Sequence, residues 1–168
     1  MADRRAACAV SDGRLIAIAG RPVRLAPMQE IAAGLISVEA GLIGDCKGAL
    51  RRRQITVLAR EAWQTAAAQV GEPDLPWIVR RANLLIAGIE LPRGKGSVFR
   101  VGEVCLEVTG QTYPCGRMEE AHPGLLRALA RDWRGGFTCR VLKGGRIVLG
   151  EPVEVLAALP EVLPRLPA

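Results

Sequence analysis

Aromatic side chains are scarce in this sequence: two Phe, one Tyr and three Trp make up 4% of its 168 residues. A platform for single-stranded nucleic acid stacks bases on rings interleaved with Lys and Arg. No stretch here is built that way, so nucleic acid is not an expected partner even though the net charge is +6. Five cysteines occur, Cys8, Cys46, Cys105, Cys115 and Cys139, but no C-x-x-C pair. That excludes a zinc ribbon and a thioredoxin-like motif, and the odd number at irregular spacing argues against a disulfide framework. No apolar run reaches the roughly 20 residues of a membrane-spanning helix. The first residues, Met1 to Val10, break at Ser11-Asp12-Gly13 before a secretory apolar region forms. The expectation is a soluble protein of the reducing cytoplasm.

What is present reads as one domain over 1–168, with a core from about 14 to 157. Hydrophobic residues make up 49% and charged residues 24%, an ordinary globular balance. Short β-type runs dominate: Arg14 to Ala19, Leu35 to Ala40, Gln54 to Leu58, Asn83 to Ile86, Val98 to Val101, Val104 to Thr109, Phe137 to Leu142, Arg146 to Leu149 and Pro152 to Leu156. In Val104 to Thr109 the alternation puts Val104, Leu106 and Val108 on one face. Lys143-Gly144-Gly145 suggests a hairpin turn. Helical spacing marks Ala59 to Val70, with Trp63, Ala66, Ala67 and Val70 on one face and Gly71 as the stop. A second helix is expected from about Pro123 to Gly135, with Leu125, Leu129 and Trp133 inward and Arg127, Arg131 and Arg134 as a basic stripe, read as a solvated face. The fold class that follows is all-β, a closed or nearly closed β-barrel with two short helices inserted.

The chemistry centres on Tyr113-Pro114-Cys115-Gly116-Arg117. Pro114 cannot extend a sheet ladder, and Gly116 permits a sharp turn or a close approach to a ligand. Arg117 favours thiolate over thiol at Cys115. Two readings of Cys115 are open: an activated sulfur on a loop, or a small buried hydrophobe. Gly41-Leu42-Ile43-Gly44-Asp45-Cys46-Lys47-Gly48 reads as a glycine-rich loop, and Arg51-Arg52-Arg53 is the densest charge. His122, the sole histidine, reads as a helix-start cap before Pro123, with proton donation to Cys115 the alternative.

Taken in order, Gly41-Leu42-Ile43-Gly44-Asp45, Arg53-Gln54-Ile55, Asn83-Leu84, Thr109 to Pro114-Cys115, Arg134-Gly135 and Gly144 through Gly150-Glu151-Pro152-Val153 resemble the MOSC family, named for the C-terminal domain of molybdenum cofactor sulfurase. The resemblance spans about Leu15 to Leu156. It implies a β-barrel and a cysteine, here Cys115, that carries sulfur as a persulfide or ligates molybdenum. It further implies the molybdenum cofactor, a pterin dithiolene with a phosphate, as ligand. A cysteine desulfurase would be the sulfur donor and a molybdoenzyme or the cofactor itself the acceptor. Arg53, Arg81, Arg117 and Arg134 are the candidate cations for its pocket, Arg53 and Arg134 favoured because the family pattern places Arg there. Asn83 would hydrogen-bond the pterin edge or close a turn; Asp45 would orient an arginine or cap the glycine-rich loop. No pyridoxal phosphate site is expected in this chain. The sequence departs from the family in having Cys46 where a histidine often follows Gly-Asp, Ala82 before the Asn-Leu pair, and Gly150-Glu151 for the terminal Gly-Asp. Cys46 could serve as a resolving thiol. The alternatives to a sulfur carrier are a molybdenum-dependent reductase of N-hydroxylated compounds and a non-catalytic anion-binding module.

Overall fold

A computed structural model describes residues 12–48 and 52–163. Cys8 and Arg51 lie outside the described residues. Among the described residues eleven strands form two sheets. The strands are β1 (Arg14–Gly20), β2 (Gln29–Ile31), β3 (Ala33–Ser37), β4 (Gly41–Leu42), β5 (Ile55–Ala59), β6 (Leu84–Ala87), β7 (Val98–Val101), β8 (Val104–Gln111), β9 (Phe137–Lys143), β10 (Gly145–Val148) and β11 (Val153–Ala157). The large sheet has the order β11-β7-β8-β9-β5-β6-β1-β2, and the small one β10-β3-β4. All pairings are antiparallel except β5 with β6, where Val57 faces Leu84. That parallel step needs a crossover, supplied by the helix α1 (Arg60–Gln69) and a 3-10 turn at Trp77–Arg80.

The expected barrel does not close. The large sheet is open, with β2 and β11 at its edges. An isolated bridge between Arg14 and Pro152 brings the start of β1 to the segment entering β11. Three backbone hydrogen bonds flank it, from the Leu15 N–H to the Glu151 carbonyl (2.9 Å), the Gly150 N–H to the Leu15 carbonyl (2.8 Å) and the Val153 N–H to the Gly13 carbonyl (2.9 Å), and from Ile18 onward β1 pairs with β2 instead. The hairpin expected at Lys143-Gly144-Gly145 is also absent: β9 pairs with β5 and β8, whereas β10 pairs with β3 in the other sheet. The glycine there serves packing instead. A Cβ on Gly144 would sit 2.4 Å from the Ile36 carbonyl oxygen.

Two apolar clusters hold the layers together. One lies between the sheets, where Phe99, Val101, Leu106, Val108 and Phe137 meet Ile36, Leu42 and Ile147. The other fixes the helices to the outer face of the large sheet, where Leu58 and Leu85 meet Trp63, Ala66, Met118, Leu125, Ala128 and Leu129. β8 alternates as its sequence requires: Val104, Leu106 and Val108 are fully buried, and Cys105, Glu107 and Thr109 are not. α1 likewise buries Trp63, Ala66 and Ala67, and Gly71 leaves it at φ +80°.

The second expected helix is shorter than its sequence span, α3 (Leu125–Leu129), and it is preceded by a helix that was not expected, α2 (Gly116–Ala121). Gly116 opens α2 without a left-handed turn. His122 ends α2 rather than capping a following helix, and its Nδ1 lies 2.9 Å from the Pro123 carbonyl oxygen. The chain leaves the helical path at Asp132 (φ +52°) and Trp133 (φ +56°). That breaks the Arg127-Arg131-Arg134 stripe and turns Trp133 toward Phe137, at 5.2 Å between ring centroids. Among the described residues no helix is long and apolar enough to cross a membrane.

Candidate functional site: an exposed thiol beside buried cations

Cys115 is exposed, at the junction where β8 has ended and α2 begins. The buried-hydrophobe reading therefore applies to a different cysteine. Cys139 is fully buried in β9, and burial, with Glu107 nearby, pushes its thiol well above the ordinary range. Phe137 and Val141 share its face of β9, and all three are buried in the core between the sheets.

The charges around Cys115 come from three separated stretches. Arg80, 6% exposed, ends the 3-10 turn. Its Nε donates to the Gly135 carbonyl (2.8 Å) and its Nη2 to the Thr112 carbonyl (3.1 Å). These bonds clamp the strand exit before Cys115 to the turn entering β9. Burial lowers the Arg80 pKa to about 10, and the negative charge available at Cys115 opposes that fall. The next residue, Arg81, has φ +63°, in the left-handed region. Its Nη2 donates to the Arg24 and Ala26 carbonyls, at 3.3 and 3.0 Å. Its pKa is lowered by burial first, then by the like charges of Arg21 and Arg117, while Cys46 and Cys115 act the other way.

The glycine-rich loop supplies the third stretch. Asp45 Oδ1 accepts from the Arg21 backbone N–H (2.9 Å) and Oδ2 from that of Lys47 (3.1 Å). Asp45 thus caps its own loop and fixes it against the end of β1. The Cys46 N–H donates to the Arg21 carbonyl at 2.9 Å. Burial, then Arg21, lower the Lys47 ammonium to about 8, with Asp45 opposing and Arg80 and Arg81 adding to the fall. Arg21, Lys47, Arg80, Arg81 and Arg117 therefore form a mutually repelling group, with Asp45 as the carboxylate that acts on it. Arg21 Nε and Arg81 Nε are buried and have no hydrogen-bond partner among the described residues. Unpaired buried donors amid crowded positive charge favour an anion with several acceptor oxygens, such as a phosphate.

The expected site residues separate into groups. Arg81 interacts electrostatically with Cys46, Cys115 and Arg117, and Asp45 interacts with Lys47. Asn83, 1% exposed, is a structural tie: Oδ1 accepts from the Thr56 N–H (3.0 Å) and Nδ2 donates to the Ala19 carbonyl (3.2 Å). It binds β1, β5 and the start of β6 together directly behind Arg81. Arg134 is held among the helices by Gln69 Oε1 (2.8 Å), the Ala128 carbonyl (3.3 Å) and Asp132 (3.8 Å). Arg53 lines a separate cleft of about 820 Å³ with Arg52, Arg93, Lys95, Tyr113 and Trp133. Sequence reasoning missed Arg21, Lys47 and Arg80 as members of the Cys115 group. Arg80 was findable as the neighbour of Arg81, and Lys47 as the cation next to Cys46; Arg21 carries no local signal.

Compared with known protein families, residues 28–154 match the MOSC domain. Among solved structures, the YuaD protein of Bacillus subtilis superposes with a TM-score of 0.71 at 19% identity, covering 84% of this chain and 93% of that one. YiiM from Geobacillus stearothermophilus gives 0.68 at 17% identity, over 86% of this chain and 75% of that one. YiiM from Escherichia coli gives 0.65 at 18%, over 89% and 72%. No curated protein matches. At these identities the structural likeness speaks for the fold alone. The family match covers most of the sequence, including the glycine-rich loop, the paired arginines before Asn83 and the Pro-Cys-Gly loop, and on that ground the chain belongs to the MOSC domain family.

Proposed function

We propose that this protein handles sulfur or molybdenum through Cys115, in a cationic recess that takes the phosphorylated pterin of the molybdenum cofactor. The observation that carries the reading is an exposed thiol beside arginines, two of which, Arg21 and Arg81, keep buried Nε donors with no partner among the described residues. The residues fit such a group: Arg21 and Arg81 would hold its phosphate, Lys47 and Arg117 would add charge, and Arg80 and Asn83 would keep the frame rigid. When bound, the cofactor would supply a molybdenum centre held by its dithiolene, for which a thiolate is a soft ligand.

As a sulfur carrier, Cys115 attacks the terminal sulfur of a persulfide on a cysteine desulfurase. The donor's S–S bond breaks, a new S–S bond forms on Cys115, and the donor leaves as its thiolate. The nearby guanidinium groups favour the anionic forms on both sides of that exchange.

The test is to incubate the protein with a cysteine desulfurase and cysteine and to follow intact mass. Wild type should gain one sulfur atom and Cys115→Ser should not. In parallel, protein purified from a host that makes the cofactor should carry molybdenum and pterin, and Arg81→Met should reduce the pterin content. Protein that takes up neither sulfur nor cofactor overturns the proposal. Cofactor uptake without sulfur loading selects the ligand role and leads on to reductase assays with N-hydroxylated compounds.

A further inference from the structure

Beyond the Cys115 recess, the cleft of about 820 Å³ has a built character of its own. Arg52, Arg53, Arg93 and Lys95 line it, and no carboxylate pairs with any of the four among the described residues. The carboxylate in its wall is Glu161, whose Oε1 accepts from Trp133 Nε1 at 2.8 Å. Its floor is the end of β8 with the start of β9, where Thr109, Gly110 and Thr138 present small side chains. The Thr109 hydroxyl contacts the Arg52 carbonyl and lies 3.0 Å from the Thr138 hydroxyl, which fixes the Arg52-Arg53 backbone to that floor.

Two rings complete the lining. Tyr113 is 72% exposed, and Trp133 is half-buried. Trp133 and Asp132 both have left-handed backbone, a conformation that costs a non-glycine residue roughly 1–3 kcal/mol and tends to cluster at functional sites. Its effect here is to hold the indole on the cleft wall, tied to Glu161 and packed on Phe137.

We propose that this cleft binds a phosphorylated ligand with a planar aromatic ring, of nucleotide size, with the phosphates on Arg53, Arg93 and Lys95 and the ring against Tyr113 and Trp133. Unpaired cations on concave walls concentrate an anion, and guanidinium forks suit phosphate oxygens. The exposed phenol ring provides the stacking face that single charges cannot. Thr109 and Gln111 are within the lining to hydrogen-bond a sugar or linker. This site does not depend on Cys115 chemistry.

The experiment is calorimetric titration of the full chain with adenosine triphosphate, inorganic triphosphate and adenosine as probes. Adenosine triphosphate should bind more tightly than either part alone. Arg53→Glu and Arg93→Glu should each weaken it by about tenfold or more, the equivalent of roughly 1.4 kcal/mol. Tyr113→Ala should weaken it several-fold, while Cys115→Ser and Arg81→Met leave it unchanged. The three substituted cleft positions, Arg53, Arg93 and Tyr113, are exposed, and thermal melts check that each variant is folded. Absence of heat with both phosphorylated probes overturns the proposal. So does binding lost in Arg81→Met but kept in Arg53→Glu, which would put the anion in the cysteine recess. Equal affinity for triphosphate and the nucleotide overturns the ring-bearing ligand class.

Discussion

Replacing Lys47 by methionine should make the free protein more stable at neutral pH, and the gain should disappear in alkali. The Lys47 ammonium is lowered from its usual 10.5 to about 8, chiefly by burial and next by Arg21. Between pH 8 and 10.5 the unfolded chain therefore holds a proton at Lys47 that the folded chain has released. Stability rises with pH wherever the unfolded state binds more protons. The penalty for the charged ammonium is thus complete below pH 8 and relieved as the pH climbs toward 10.5. At 1.36 kcal/mol per pKa unit its ceiling is about 3 kcal/mol. Lys47 keeps some contact with solvent, and screening reduces the figure to about 1–2 kcal/mol. For a chain of this length that is a rise in Tm of roughly 2–8 °C. The assay is urea unfolding of wild type and Lys47→Met from pH 6 to 10.5, reading the difference so that other titrating groups cancel. The difference should be largest at pH 6–7.5 and shrink above pH 8. Phosphate added at neutral pH should stabilise wild type more than the variant, because it removes the repulsion the variant lacks. A variant less stable than wild type at pH 7, with a difference that does not vary with pH, would refute the reasoning.

Two further substitutions test the frame around the thiol. Arg80→Met leaves the Gly135 and Thr112 carbonyls without their donors; thermal melts should show a loss of about 2–4 kcal/mol, since buried unpaired acceptors each cost about 1–3 kcal/mol and removing the buried charge returns part of that. Asn83→Leu orphans the Thr56 N–H and the Ala19 carbonyl in the interior and should destabilise by about 2–5 kcal/mol in urea unfolding. Asn83→Ser should recover part of it.

Patterns that act over a few residues were legible in the sequence. The alternation in β8, the apolar face of α1 and the stop at Gly71 depend on local spacing, and the structure matches them. The exposed position of Cys115 was one of two open readings, decided by where β8 ends. What local patterns did not reveal was determined by distant partners. The helix expected to reach Gly135 ends at Leu129, and beyond it Asp132 and Trp133 take left-handed backbone with the indole on Phe137. The hairpin at Gly144 gives way to a jump between sheets because β10 finds its partner in β3, over a hundred residues earlier. Arg53 and Cys115 look like members of one site by family order, yet Arg53 opens into a different cleft.

The charges around Cys115 also explain why the bonding of Asp45 matters. Asp45 uses both oxygens on backbone N–H groups of Arg21 and Lys47, so it braces the loop, and among the described residues no ion pair holds the side chains of Arg21, Lys47, Arg80, Arg81 or Arg117. Asn83 and Arg80 spend their polar groups on backbone partners as well. The side chains of Asp45, Asn83 and Arg80 therefore bond to backbone groups of the frame, while Arg21 Nε and Arg81 Nε have no partner among the described residues. Under the proposed function a phosphate-bearing ligand brings the compensating charge, and Lys47→Glu or Arg21→Glu would supply a negative charge from the chain itself. Either change should abolish phosphate-induced stabilisation at pH 7 without loss of fold, and this links the electrostatic argument to the anion rather than to the thiol.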